Sequence, residues 1–161
     1  MFHLEEKESY KLFCDMDGVL VDFDRGYFEL TGVRTNVNEK SPKGFWAPIS
    51  KAGKSFWSDL HWTKDGKELW NYIEKYNPTI LSAPSLEHSS IVGKHEWIDK
   101  HLPGVHLILR SAKHKHELSG PNHILIDDKV STIESWNAAG GIGILHTSAE
   151  ETIEQLKALN L

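Results

Sequence analysis

Cysteine is nearly absent from the chain: Cys14 is the only one among 161 residues. No internal disulfide can form, so the fold must rest on a buried core rather than on covalent staples. Long apolar runs are missing too, and the longest are short stretches such as His106-Leu-Ile-Leu109 and Ile142-Gly-Ile-Leu145. These fall far short of the ~20 residues that cross a bilayer, so no membrane span is expected. Positive charge is not in excess, with 18 Lys and Arg against 23 Asp and Glu and a formal net charge of −5. That balance gives no general attraction to nucleic acid or anionic lipid and argues against a long DNA groove. Met1 to Glu8 has neither the basic start nor the apolar stretch of a secretory leader, so cytoplasm is the expected setting. There is no internal repeat and no low-complexity segment.

What is present is ordinary globular usage, 39% hydrophobic and 25% charged residues. A chain of 161 residues suits a single domain, 1–161, with a sizeable core. Short, mostly unalternating apolar segments predict strands at Lys11 to Cys14, Thr79 to Leu81, Val105 to Leu109, His123 to Ile126 and Ile142 to His146. Helical spacing separates most of them. Ile91, His95, Ile98 and Leu102 stop at Pro103-Gly104, and Val130, Ile133 and Trp136 stop before Gly140-Gly141. Ser148 with Glu151 forms a capping box ahead of Ile153, Leu156 and Leu159. This alternation predicts an α/β fold with a doubly wound, mainly parallel five-stranded sheet, whose ligands sit at the carboxyl ends of the strands.

One interval, about residues 24–76, is too long for a simple crossover and is crowded with aromatics such as Tyr27, Phe45, Trp46, Trp57 and Trp70. It reads as a small, mainly helical cap inserted after the first strand, with Asp65 to Glu68 starting its best helix. Most of its aromatics are expected to pack the insert itself, the Phe56 to Trp62 segment included.

The chemistry gathers at the strand ends. Asp15 and Asp17 follow the first predicted strand, Ser82 ends the second, Lys113 and Lys115 follow the third, and Asp127-Asp128 follow the fourth. Clustered carboxylates repel one another and raise each other's pKa unless a cation neutralises them. Hard oxygen ligands without cysteine or an ordered histidine set favour Mg²⁺. A divalent ion beside a carboxylate, a hydroxyl and an ammonium suits a phosphoryl group, and a carboxylate can attack phosphorus itself.

Asp15-Met-Asp-Gly-Val-Leu20 resembles the first motif of the haloacid dehalogenase-like phosphohydrolases, and the likeness continues in order through Ser82, a lysine and Leu125-Ile-Asp-Asp128. Gly44-Phe-Trp46, Ile80-Leu-Ser-Ala-Pro84 and Lys94-His-Glu-Trp97 bring it nearest the 5′(3′)-deoxyribonucleotidase branch and its phage relatives. The resemblance implies that Asp15 is the nucleophile and a Mg²⁺ ligand. It makes Asp17 the acid/base and a ligand through its main-chain carbonyl. Ser82 and a lysine would bind the phosphoryl group. Asp127 would hold the metal, with Asp128 supporting it. Counting back from Pro121 favours Lys115 for the lysine, whereas counting forward from the third strand favours Lys113. Phe23, Phe45 and Trp46 match positions that line the base pocket of those enzymes, although packing alone would equally account for Phe23 and Phe45. The expected substrate is a small phosphorylated molecule, a nucleoside (deoxy)monophosphate foremost, hydrolysed through an aspartyl phosphate. The alternatives are an end phosphatase on DNA or RNA and a catalytically idle binding module, and a homodimer stays open.

Seven histidines between His88 and His123 include His114-Lys-His116, but their spacing does not gather them on one element, and solvated or packed side chains are expected. Arg110, Lys113 and Lys115 form a small basic patch, and Gly140-Gly-Ile-Gly143 reads as a helix end rather than a dinucleotide loop.

Overall fold

The structure, a computed structural model, describes residues 9–36 and 39–161, so the leader reading at Met1 to Glu8 lies outside the described residues. Five parallel strands, β1 (Lys11–Cys14), β2 (Thr79–Ser82), β3 (Leu107–Leu109), β4 (His123–Asp127) and β5 (Ile142–Leu145), form one sheet in the order β3-β2-β1-β4-β5. Their apolar runs hardly alternate because both faces are covered. Phe13, Leu81 and Leu125 pack with Ile133 and Trp136 on one face, while Leu12, Cys14, Ile80, Ile124 and Ile126 join the larger core on the other. From β1 the chain steps outward to β2 and β3, then returns to β4 on the opposite side of β1. That reversal opens a crevice at the carboxyl ends of β1 and β4.

β3 begins later than the predicted Val105, because the Val105 amide donates to Leu102 O and closes the preceding turn before the ladder starts. Between β1 and β2 lie helices α1 (Phe23–Thr31), α2 (Ala47–Ala52), α3 (Lys54–Ser58) and α4 (Gly66–Ile73). Asp22 starts α1, its side chain accepting from the Arg25 amide at 3.0 Å, and Pro48 sits in the first turn of α2 where its missing N–H costs nothing. α5 (His88–His101) follows β2, α6 (Val130–Ala138) follows β4, and α7 (Ala149–Ala158) follows β5.

α3 packs closely on α5 because Gly93 has no side chain; a Cβ there would meet Trp57 Cβ at 2.4 Å and Lys54 O at 2.6 Å. Trp97 Nε1 donates to Leu60 O at 2.8 Å across the same seam. The buried face of α5 is thereby Ser90, Gly93, Lys94, Trp97 and Ile98, and His95, expected on that face, is exposed. Ser148 accepts from the Glu151 amide and caps α7 as its sequence predicts. Asp65 behaves differently. Its side chain makes no cap bond to α4 and instead accepts from the Ala149 amide at 2.7 Å, at the start of α7. Among the described residues no helix is long and apolar enough to cross a membrane.

Candidate active site

Asp15 stands one step beyond β1, and its amide still donates to Ile126 O at 2.8 Å, so the β1–β4 ladder fixes its position. The chain then turns back on itself: Met16 O accepts from the amides of Leu20 and Val21. Gly18 makes this turn at φ +81°, and a Cβ there would fall 2.1 Å from Asp128 Oδ2. Glycine serves twice here, allowing the left-handed backbone and leaving room for the Asp128 carboxylate.

Asp127 closes β4. Its Oδ1 accepts from the Lys129 amide at 2.9 Å, and its Oδ2 lies 2.9 Å from Lys115 Nζ. Lys115, in a 3₁₀ segment over Ala112–Leu118, is 3% exposed and also donates to Asp15 Oδ1 at 2.9 Å. Lys113 is two residues away on the same segment, where three residues make a turn, so it faces elsewhere. It is exposed and borders a separate depression with His116 and Ser135. Of the two lysines open in the sequence, Lys115 is the one beside the carboxylates.

Asp15, Asp127 and Asp128 each present a carboxylate oxygen within 4.8 Å of the others. The Asp17 carboxylate is directed away from this group. Its Oδ2 meets Lys94 Nζ at 2.7 Å, and Lys94 donates also to Ser82 Oγ at 2.9 Å. Lys94 is 1% exposed, with its ammonium 5.0 Å over the Trp57 ring. Asp17 Oδ1 and Trp57 Nε1 are buried without a hydrogen-bond partner.

Asp15 and Asp127 share the single ammonium of Lys115, so this pair of carboxylates is short of one positive charge when both are ionised. Burial, with the Asp127 charge adding to it, pushes Asp15 up to about 7 against the opposing pull of Lys115. Burial alone would lower Lys115, but Asp15 and Asp127 outweigh it and raise the ammonium well above its usual range. An all-oxygen donor set with a deficit of positive charge fits Mg²⁺. Among the described residues no other group of His, Cys, Asp or Glu is arranged to hold a metal, and the histidines stay dispersed.

The carboxylates open into a cavity of about 280 Å³ whose walls include Phe23, Phe45, Trp46 and Trp57. Phe23 and Phe45 are buried, and Tyr27 stacks on Phe45 with centroids 4.2 Å apart. Trp46 is 45% exposed at the rim. Ser82 is fully buried behind the cavity and connects to its wall through Lys94 and then Asp17. Sequence reasoning missed two residues of this site. Trp57 was assigned to packing of the insert but lines the cavity. Lys94 has no role in the sequence reading, because the apolar period of its helix runs through Ile91, His95 and Ile98, whereas the buried face includes Gly93, Lys94 and Trp97.

A profile of the family described as "5' nucleotidase, deoxy (Pyrimidine), cytosolic type C protein" matches residues 9–158. No curated protein matches the chain. Among solved structures, a hydrolase from Streptococcus pneumoniae is similar at 11% identity, with 95% of this chain and 99% of that one covered and a TM-score of 0.54. A candidate beta-phosphoglucomutase from Thermotoga maritima is similar at 12% identity, covering 93% and 99% with a TM-score of 0.52. A HAD-superfamily hydrolase from Ehrlichia chaffeensis reaches 15% identity over 86% and 87%, with a TM-score of 0.48. With the profile covering nearly the whole chain, the protein belongs to the cytosolic type C 5' deoxynucleotidase family, a haloacid dehalogenase-like phosphohydrolase and a phosphoric monoester hydrolase of the 5'-nucleotidase type.

Proposed function

We propose that the protein hydrolyses small phosphomonoesters, nucleoside (deoxy)monophosphates foremost, through a phosphorylated Asp15. The observation that carries this reading is the paired arrangement in which Lys115 bridges Asp15 and Asp127 while Lys94 bridges Asp17 and Ser82. One lysine holds the nucleophile and the other holds the acid/base, so the two carboxylates keep separate tasks.

An Asp15 oxygen attacks phosphorus, forming the acyl-phosphate bond as the ester P–O bond breaks. Asp17 delivers its proton to the departing oxygen. The resulting Asp17 carboxylate then takes a proton from water, whose oxygen attacks phosphorus and releases inorganic phosphate, regenerating Asp15. Asp17 lies on the wall of the cavity, where it can meet the leaving oxygen and the water in turn. Lys115 offers its ammonium to the phosphoryl oxygens, and Ser82 holds Lys94, and through it Asp17, from behind. Mg²⁺, held by Asp15, Asp127 and Asp128 and by the Asp17 carbonyl, would neutralise charge building on the phosphoryl oxygens.

Phe23, Phe45 and Trp46 line the aromatic end of the cavity, and a flat base stacked there would gain about 1–3 kcal/mol. In this reading residues 24–76 act as a cap over the strand ends. Cytoplasm belongs to the same proposal, supported by the buried, unpaired Cys14 thiol. Phosphate release from a panel of nucleotides and aryl phosphates, with and without Mg²⁺, tests it. Release that depends on Mg²⁺ is expected, and no release from any ester overturns it.

A further inference from the structure

A second hollow of about 390 Å³ adjoins the active-site cavity, and Trp46, Pro84 and Ser85 belong to the walls of both. Ile49 from α2 and Leu86 from the β2–α5 loop add apolar wall. Leu86 is fully exposed and stands beside the half-exposed Trp46. A leucine and a tryptophan left open to water along the edge of a polar site are surface that a ligand would cover.

The polar groups of the hollow have one chemical sense. Glu87 takes the Ser50 hydroxyl on one oxygen and the Ser89 hydroxyl on the other. An ionised carboxylate has about four acceptor positions, so Glu87 can accept further bonds. No lysine or arginine is among the residues that line the hollow. It therefore disfavours a second phosphate and favours a neutral group carrying N–H or O–H donors.

We infer that this hollow is a second substrate subsite, which takes an apolar or aromatic extension of the leaving group ending in a hydrogen-bond donor. The inference rests on the phosphatase reading for its direction. With the phosphoryl group at Asp15 and the first ring along Phe45, an extension passes Trp46 onto Leu86 and brings its tip to Glu87. Esters with a flat extension beyond one ring system are the favoured class, and a polyphosphate chain running the same way is excluded by Glu87.

Calorimetry with phenylphosphonate and 4′-hydroxybiphenyl-4-ylphosphonate, whose terminal hydroxyl is the donor, in the presence of Mg²⁺, tests the subsite without requiring turnover. The biphenyl compound is expected to bind about tenfold more tightly, the scale of a small hydrophobic pocket gained. Leu86→Glu should erase that preference and leave phenylphosphonate affinity unchanged; Leu86→Ala should reduce it. Because Leu86 is fully exposed, neither variant threatens the core. Equal affinities for the two compounds, equal losses in the variants, or no binding of either would overturn the subsite. Phosphate release from the nucleotide and aryl phosphate panel, measured separately, judges catalysis: no release from any ester beside an intact biphenyl preference would sink the phosphatase reading and keep the subsite.

Discussion

Lys94 and Asp17 are 77 residues apart in the chain, yet the ammonium of one lies 2.7 Å from the carboxylate of the other in the buried wall of the site. Lys94→Met would leave Asp17 a nearly buried charge without its partner. Removing one member of a buried pair costs about 3–5 kcal/mol, so a loss of a few kcal/mol is expected in urea unfolding. Turnover should fall at least tenfold in kcat with KM little changed, because Asp17 loses the contact that positions it. A parent-like kcat in the folded variant would show that Lys94 acts on the fold alone.

Lys115 and Lys113 should separate cleanly. Lys115→Ala removes the ammonium between Asp15 and Asp127 and is expected to lower kcat/KM by a factor of at least 100. Lys113→Ala changes an exposed side chain and should stay within twofold of the parent. Steady-state phosphate release decides between them, and the reverse ranking would remove Lys115 from its role.

Metal dependence should itself vary with pH. Asp15 is raised to about 7 in the fold from a usual value of 3.8, so its neutral form is favoured and the associated stability is lost as pH rises through 7. In the proposed reading Mg²⁺ would bind the ionised cluster and offset that loss. Thermal melts with and without Mg²⁺ should therefore show a larger gain in Tm at pH 8 than at pH 5, and an equal or smaller gain at pH 8 would contradict the assignment.

His146 supplies an acid-side test away from the reacting groups. Its ring is buried against Thr152 Oγ1 at 2.7 Å, and burial lowers its pKa from the usual 6.5 even though Asp65 pulls the other way. A histidine held neutral contributes stability above 6.5, and that contribution is lost as pH falls toward its depressed value. His146→Gln should flatten the decline in Tm below pH 6.5 relative to the parent. An identical slope would show that other groups carry it.

The sheet was legible because β1, β2 and β4 are buried on both faces and so read as short apolar runs. Asp15, Asp127 and Asp128 were legible because carboxylates at adjoining strand ends have few other uses. Lys94 was hidden by its helix: the apolar period ran through Ile91, His95 and Ile98, whereas Gly93 lets α3 approach and rotates the buried face toward Lys94. Asp65 misled for a similar reason, since its carboxylate serves α7, 84 residues along the chain, rather than the helix it precedes. Both depend on what lies opposite in space, which local periodicity does not encode.

The close seam at Gly93 also divides the insert mechanically. α3 is locked to α5 by Trp57, Lys54 and the Trp97–Leu60 bond, whereas α2 ends immediately before, at Gly53 with φ +72°. Phe23 belongs with the locked side, its ring 5.5 Å from Phe56 and 5.6 Å from Trp57, while Phe45 and Trp46 precede the break. The aromatic wall is therefore held from two sides, Phe23 and Trp57 through the α3–α5 seam and Phe45 through its stacking on Tyr27.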